Sequence, residues 1–257
     1  MFEGRRGSVL VLLIQLGLVA ATLALWEFAS GRFLDPMLVS SPTAIWRQAS
    51  RWLVRGVLQR EALATFWIAC AGILLGGGAG LLFGIAVGLS RRLAALVEPF
   101  VNAAFALPKV ALIPLFVLWF GTGDMQKLAL TATTTFFFFF FSGAEGARSV
   151  PQALRDALAL LGPDRRQLLF ILYLPAGFSW FLAGMRTAVP YAFVAVVGAE
   201  VVSSTGGLGA LAKSNAAAMN ASGMFAAILT LTLLGAGTSA LVAWAAGRSR
   251  WRAGAAP

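Results

Sequence analysis

The sequence predicts an all-α membrane protein with six transmembrane helices in a single domain spanning 1–257. Three observations carry this. Of 257 residues, 59% are hydrophobic and 12% charged, whereas soluble domains hold about 45–50% apolar residues. The apolar residues gather into runs of the length a bilayer core demands, about 20 residues of helix. Most of the arginines fall between those runs. The net charge of +10 is therefore scattered along the chain rather than gathered on one face. That distribution reads as a topology signal and not as a nucleic-acid footprint.

The first expected span covers residues 9–28. Arg5 and Arg6 precede an unbroken apolar run from Val9 to Trp26. A cleaved signal peptide has an apolar core of only about 7–15 residues, so a retained helix is expected. Residues 30–62 form the first loop. In it, Ile45, Trp46, Leu53, Val54 and Leu58 are interleaved with Arg47, Arg51, Arg55 and Arg60, the pattern of an amphipathic helix lying on a membrane surface.

The second span is expected at 65–89. Gly72, Gly76, Gly80, Gly84 and Gly88 recur every fourth residue. Small residues at that spacing line one helix face and let another backbone come close. The lone cysteine, Cys70, sits within this apolar run and has no intrachain partner for a disulfide. The third span, 97–120, is interrupted by Pro108 and Pro114 and carries Lys109 inside it. The fourth, 128–145, ends in six phenylalanines, Phe136 to Phe141, expected to serve lipid contact and core packing.

A polar loop then separates the spans, from 146 to 175. Leu154, Ala157, Leu158 and Leu161 recur at the spacing of one helical face. Gly162-Pro163 stops that helix: Gly accepts a left-handed C′ position, and Pro cannot continue. Asp164 and Gln167 have the spacing of a capping box for the helix that follows. Leu174-Pro175 marks the next boundary. The fifth span is expected at 176–202, with Arg186 and Glu200 roughly 21 Å apart along it. A small-residue loop, 203–222, leads to the sixth span at 223–246, and Arg248, Arg250 and Arg252 follow.

Six spans place both termini on one side. Arg5, Arg6, Arg91, Arg92, the loop arginines and the tail arginines share that side, which makes it the cytoplasm. The first loop, with Arg32, Arg47, Arg51, Arg55 and Arg60, argues against it.

Residues 145–175 resemble the EAA loop of permease subunits of binding-protein-dependent ABC importers. That pattern is Glu-Ala-Ala, a Gly about one turn on, and an apolar–Pro pair beyond. Asp156-Ala157-Leu158, Gly162 and Leu174-Pro175 stand in those places, with Asp for Glu and Leu for the second Ala. Ser41-Pro42-Thr43-Ala44-Ile45-Trp46, the basic turn Ser90-Arg91-Arg92, and Ile113 to Gly123 are similar to the sulfonate, nitrate and taurine permeases of that family. The resemblance implies a type I importer permease (MetI-like) fold in the bacterial inner membrane. It implies a permease dimer, a cytoplasmic ATPase dimer that holds ATP and Mg, and an extracytoplasmic solute-binding protein. It also implies that Leu154, Arg155, Asp156, Ala157, Leu158, Leu161, Gly162 and Pro175 belong to the ATPase-coupling loop. The solute would be small and anionic.

The chemistry of an enzyme is not evident. There is no histidine, which removes the commonest general base. Gly207 to Ser214 approaches a phosphate-binding loop, but Ala212 stands where that loop needs Gly. No cofactor is expected on this chain. Charge in lipid is costly, so Lys109 and Glu200 are the candidates for the translocation pathway. A standalone secondary transporter or channel is the alternative reading, since it too would use intramembrane charge.

Overall fold

The computed structural model describes residues 3–151, 164, 167, 169–203 and 205–248. Its elements are helices; among the described residues the one β contact is an isolated bridge between Ser30 and Leu34. The first helix, α1, runs Glu3–Ala29. Two short helices follow, α2 at Pro36–Val39 and α3 at Pro42–Val54. Each opens with proline, whose missing N–H is no loss in a first turn. Asp35 and Ser41 cap them through the Met37 and Ala44 N–H groups.

The long helix α4, Val57–Gly88, is entered through Gly56 at φ 74°. It begins well before the expected residue 65, so Leu58, Arg60 and Glu61 belong to this helix and not to the surface helix before it. Next come α5, Arg91–Ala106, capped by Ser90, and α6, Ile113–Phe120. The 3-10 turn Lys109–Leu112 joins them.

The expected third span, interrupted at Pro108 and Pro114, is thus two helices bent by 84°. The cause is local. Proline forces the residue before it out of the α region. Leu107 is accordingly extended, with ψ 133°, and Pro108 follows at ψ 105°. After the break come α7, Asp124–Arg148, and α8, Leu174–Ser203, the latter preceded by a π-helical turn at Leu169–Tyr173. The expected small-residue loop after α8 contains a further helix, α9, Leu208–Ala217, before α10, Ala221–Arg248. Among the described residues, five helices are long and apolar enough to cross a membrane, or six when the bent pair counts as one span.

The pairing of α4 with α7 dominates the packing. A Cβ added at Gly72 would meet the Thr131 side chain, at Gly76 the Ala132 carbonyl, at Gly80 that of Phe136, at Gly84 that of Phe140 and at Gly88 that of Ala144. Contacts advance in the same direction on both helices, so α4 and α7 run parallel. The glycine row removes the side chains that would hold the two backbones apart. From the other side, a Cβ on Gly143 would meet the Leu81 carbonyl at 2.5 Å.

Helix α8 closes this pair. Ile68, Ala69 and Ile73 of α4, Phe139 of α7, and Ala188, Val189, Ala192 and Val196 of α8 form one core cluster. Phe139 and Phe140 are fully buried, and Phe136, Phe138 and Phe141 are half-buried. The phenylalanine run is therefore largely interior; its rings pack against Phe83, Phe105, Phe181 and Tyr191. Cys70 is a free, half-buried thiol.

The α1 helix stands apart: the membrane-crossing stretch within it buries nothing inside the described chain. It is fastened near one end. The Trp26 indole donates to the Ser40 carbonyl at 3.0 Å, and Glu27 accepts from the Thr43 N–H at 3.0 Å and hydroxyl at 2.7 Å.

Candidate translocation site

The break between α5 and α6 opens a cavity of about 320 Å³ against α7 and α8. Phe105, Leu107, Lys109 and Val110 form one wall; Leu130, Thr134 and Phe138 of α7 and Tyr191, Val194 and Ala195 of α8 form the others. The cavity exists because of Pro108. A straight helix would carry Lys109 onward around its own axis; the break turns it back over the end of α5.

There the ammonium donates to the carbonyls of Ala104, at 3.3 Å, and Phe105. The Ala104 carbonyl also accepts from the Leu107 N–H at 3.4 Å; the last carbonyls of a helix have spare acceptor capacity, and a cation is favoured beside them. The same Nζ lies 4.6 Å from the Phe105 ring centroid and 4.7 Å from that of Phe137, within cation–π range. Across the cavity Phe138 and Tyr191 face one another with ring centroids 4.6 Å apart. The Thr134 hydroxyl is spent on the Leu130 carbonyl, 2.8 Å away. The result is an aromatic-walled chamber with a single positive group, suited to a small solute that carries negative charge or a flat face.

Glu200 does not line this cavity. It is fully buried at the junction of α4, α8 and α9. One carboxylate oxygen accepts from the Thr65 hydroxyl at 2.8 Å and the other from the Gly209 N–H at 2.8 Å. Thr65 in turn accepts from the Leu208 N–H at 2.9 Å. Glu61, one turn earlier on α4, accepts from the Gly207 N–H at 2.7 Å. Gly207 has φ +99°, and a Cβ on it would run into the Glu200 carboxylate, so glycine is required there on both counts.

On the other side of the turn, the buried ammonium of Lys127 donates to the Gly206 carbonyl at 3.2 Å and pairs with Asp124 at 3.0 Å. Buried charge is tolerated where hydrogen bonds and counter-charges surround it. This cluster does so while locking the entry of α9 onto α4 and α7.

The two pathway candidates of the sequence, Lys109 and Glu200, therefore sit in different places. Glu61, Thr65, Asp124 and Lys127 were not singled out in advance. The Asp124/Lys127 pair, one turn apart at the edge of an apolar run, was the one local signal available.

At the opposite end of α7 a cleft of about 650 Å³ lies between the α4–α5 turn and Arg148, lined by Gly88, Arg91, Ala94 and Glu98. Arg148 is ion-paired with Glu98. The coupling-loop residues Leu154, Arg155, Asp156, Ala157, Leu158, Leu161 and Gly162 lie outside the described residues. Beyond them, the Asp164 N–H donates to the Gln167 side chain at 2.9 Å and the Gln167 N–H to the Asp164 carboxylate at 2.7 Å. This is the reciprocal pairing of a capping box. Pro175 stands in the first turn of α8.

Comparison with known proteins places this architecture. Residues 76–251 match the family model described as "Binding-protein-dependent transport system inner membrane component". A formylaminopyrimidine transport permease protein of Halalkalibacterium halodurans is 30% identical over 219 residues, covering 83% of this chain and 85% of the relative. A putative aliphatic sulfonates transport permease protein of Bacillus subtilis is 27% identical, covering 88% and 82%. The taurine transport system permease protein of Escherichia coli is 29% identical, covering 78% and 75%. Among solved structures, an inward-facing form of the MetNI methionine ABC transporter superposes with a TM-score of 0.59 at 20% identity, over 81% of this chain and 96% of that one. The fold is thus the MetI-like permease fold, and the chain belongs to the inner-membrane components of binding-protein-dependent transport systems, as a permease subunit of an ABC importer.

Proposed function

We propose that this permease carries a small solute, anionic and of the sulfonate, nitrate or taurine class, through the chamber at the α5–α6 break. The observation that carries the reading is the position of Lys109. It is the one ammonium on the wall of an aromatic cavity, and its contacts with the end of α5 hold it there. Relatives whose names specify taurine and aliphatic sulfonates support an anionic cargo. The chemistry is a shift between two packings of the same helices, with no covalent bond made or broken.

The energy comes from outside the chain. A cytoplasmic ATPase dimer, with ATP and Mg, docks on the 146–175 loop of each copy in a permease homodimer. A solute-binding protein delivers cargo on the far side. Both termini face the cytoplasm. In the ATPase-facing helix, the apolar face of Leu154, Ala157, Leu158 and Leu161 makes the contact, with Arg155 and Asp156 beside it, and Gly162 turns the chain.

The test is reconstitution of the permease with its ATPase and its binding protein in proteoliposomes. Uptake of a radiolabelled sulfonate should require internal or external ATP on the ATPase side and should be competed by taurine or nitrate. Uptake that proceeds without ATP, driven by an ion gradient, contradicts the importer mechanism. ATP-dependent uptake of an uncharged solute alone contradicts the anion assignment.

A further inference from the structure

The first turn of α7 holds two buried polar side chains in contrasting situations. The Lys127 ammonium donates to the Asp124 carboxylate and the Gly206 carbonyl. Its neighbour Gln126 is completely buried, yet neither its amide nitrogen nor its amide oxygen has a hydrogen-bond partner. Among the described residues no other buried side-chain nitrogen or oxygen is left so. A glutamine amide carries two N–H donors and a carbonyl acceptor, and burying it unpaired is costly. A glutamine three residues after the N-cap commonly turns back to the N-cap N–H. Gln126 has that position relative to Gly123 and makes no such bond. Nothing in this packing uses its polarity; a methionine would fill the same space without the cost.

Helix geometry places Gln126 beside the chamber. Ala129 and Leu130, three and four residues on, flank it on the surface of α7. Leu130 is buried against Ile113 and Phe116 of α6 and Ala195 and Ala199 of α8, and Ala129 packs on the same cluster. Leu130 also belongs to the chamber wall, followed one turn later by Thr134. Gln126 thus continues the chamber-lining stripe of α7, on the face that α6 covers. That cover is lightly fastened. Of the eight residues of α6, only Ile113 and Phe116 are buried. The helix hangs between two joints, the 3-10 turn Lys109–Leu112 before it and Gly121, at φ +73°, after it.

Resting on the chamber assignment made above, we infer that α6 is a flap over Gln126, and that in the alternate packing of the helices α6 lifts and the Gln126 amide enters the chamber as a hydrogen-bonding group for the solute. Lys109 supplies charge to the chamber; an amide N–H supplies a directional donor for one oxygen of an anion such as a sulfonate. With α6 closed, the α7 wall offers no free donor, because the Thr134 hydroxyl is spent on the Leu130 carbonyl. Uncovering Gln126 provides one. The unpaired amide also biases the switch. It is unsatisfied under the flap and is satisfied by water or solute once the flap opens, so its burial favours opening.

The test uses the permease together with its ATPase and binding protein. In a Cys70→Ala background, Gln126→Cys is treated with a methanethiosulfonate reagent, either the sulfonatoethyl anion or the trimethylammonioethyl cation. The ATPase is nucleotide-free or trapped with ATP and vanadate. Labelling should differ between the two states by about tenfold or more. In the reactive state the anion should outpace the cation, and Lys109→Met should abolish that preference. Equal labelling in both states overturns the flap. State-dependent labelling without charge preference keeps the flap and contradicts the anion reading, which separates the two failures. In the second arm, Gln126→Met should melt above the wild type in detergent, yet lower the maximal rate of sulfonate uptake about tenfold, with Gln126→Asn recovering part of the rate. A Gln126→Met variant that melts below the wild type reveals a structural amide and overturns the proposal. So does one that melts higher and transports at the full rate. Labelling and melting are read whatever solute is carried.

Discussion

Thr65 and Glu200 are joined by a 2.8 Å hydrogen bond between side chains that are both fully buried, on helices that meet across 135 residues of sequence. That bond, with the Leu208 and Gly209 N–H groups that complete it, ties α4, α8 and the start of α9 together. The Lys109 chamber lies lower on the same α8. Its wall residues Val194 and Ala195 are within two turns of Glu200, so the cluster fixes one side of the chamber.

Removing either partner should therefore cost stability. In Glu200→Ala, the Thr65 hydroxyl and the Gly209 N–H are left without acceptors in a buried site, at about 1–3 kcal/mol for each unsatisfied group. Thermal unfolding of the purified permease in detergent should show a clear drop, and Thr65→Val a smaller one. A Glu200→Ala variant that melts with the wild type means that the cluster does not hold α9 in place.

The α4–α7 contact yields a paired comparison. Gly84→Ala places a methyl group against the Phe140 carbonyl and 3.0 Å from the Ala144 nitrogen, whereas Gly78→Ala meets nothing within 4 Å. Overpacking of this kind costs about 1–3 kcal/mol. Gly84→Ala should lower the melting temperature and Gly78→Ala should leave it unchanged or raised. Equal behaviour of the two contradicts the close parallel packing.

Orientation is tested by single-cysteine labelling in a Cys70→Ala background. An impermeant maleimide should reach Lys213→Cys from outside intact cells and Arg91→Cys only after permeabilisation. The reverse pattern would invert the proposed topology and place the 146–175 loop away from any cytoplasmic ATPase.

The coupling loop is tested at its turn. Gly162 is expected to end the docking helix in a left-handed position, where a β-branched residue would add about 1–2 kcal/mol of strain. Gly162→Val should still insert in the membrane, because no span depends on that turn. Co-purification of the ATPase and substrate-stimulated ATP hydrolysis should both fall. Full association with full stimulation would remove the loop from the coupling path.

The parts of the fold carried by local pattern were legible in the sequence. The five glycines at four-residue spacing lie against α7, and the Asp164/Gln167 pair caps as its spacing implies. The interruption of the third span at Pro108 was legible, since the Leu107-Pro108 step restricts the preceding residue, but the 84° size of the bend was not. Helix α9 was taken as loop because small residues obscure amphipathic periodicity, yet its alanines are strong helix formers. The Glu61–Thr65–Lys127–Glu200 cluster had no comparable signature. Its members lie on three helices far apart in sequence, and the backbone groups they satisfy belong to Gly206, Gly207, Leu208 and Gly209. Lys109 stood out as charge in an apolar run, but its aromatic surroundings follow from the 84° bend.

The most direct test of the central claim is ATP-driven uptake by Lys109 variants in proteoliposomes that contain the ATPase and the binding protein. Lys109→Met keeps the volume near that of lysine and removes the charge from the chamber, while Lys109→Arg keeps the charge. The account predicts that Lys109→Met lowers sulfonate uptake at every substrate concentration without reducing ATPase co-purification, and that Lys109→Arg restores a substantial part of it. Normal uptake by Lys109→Met across that range would contradict the placement of the solute path through this chamber.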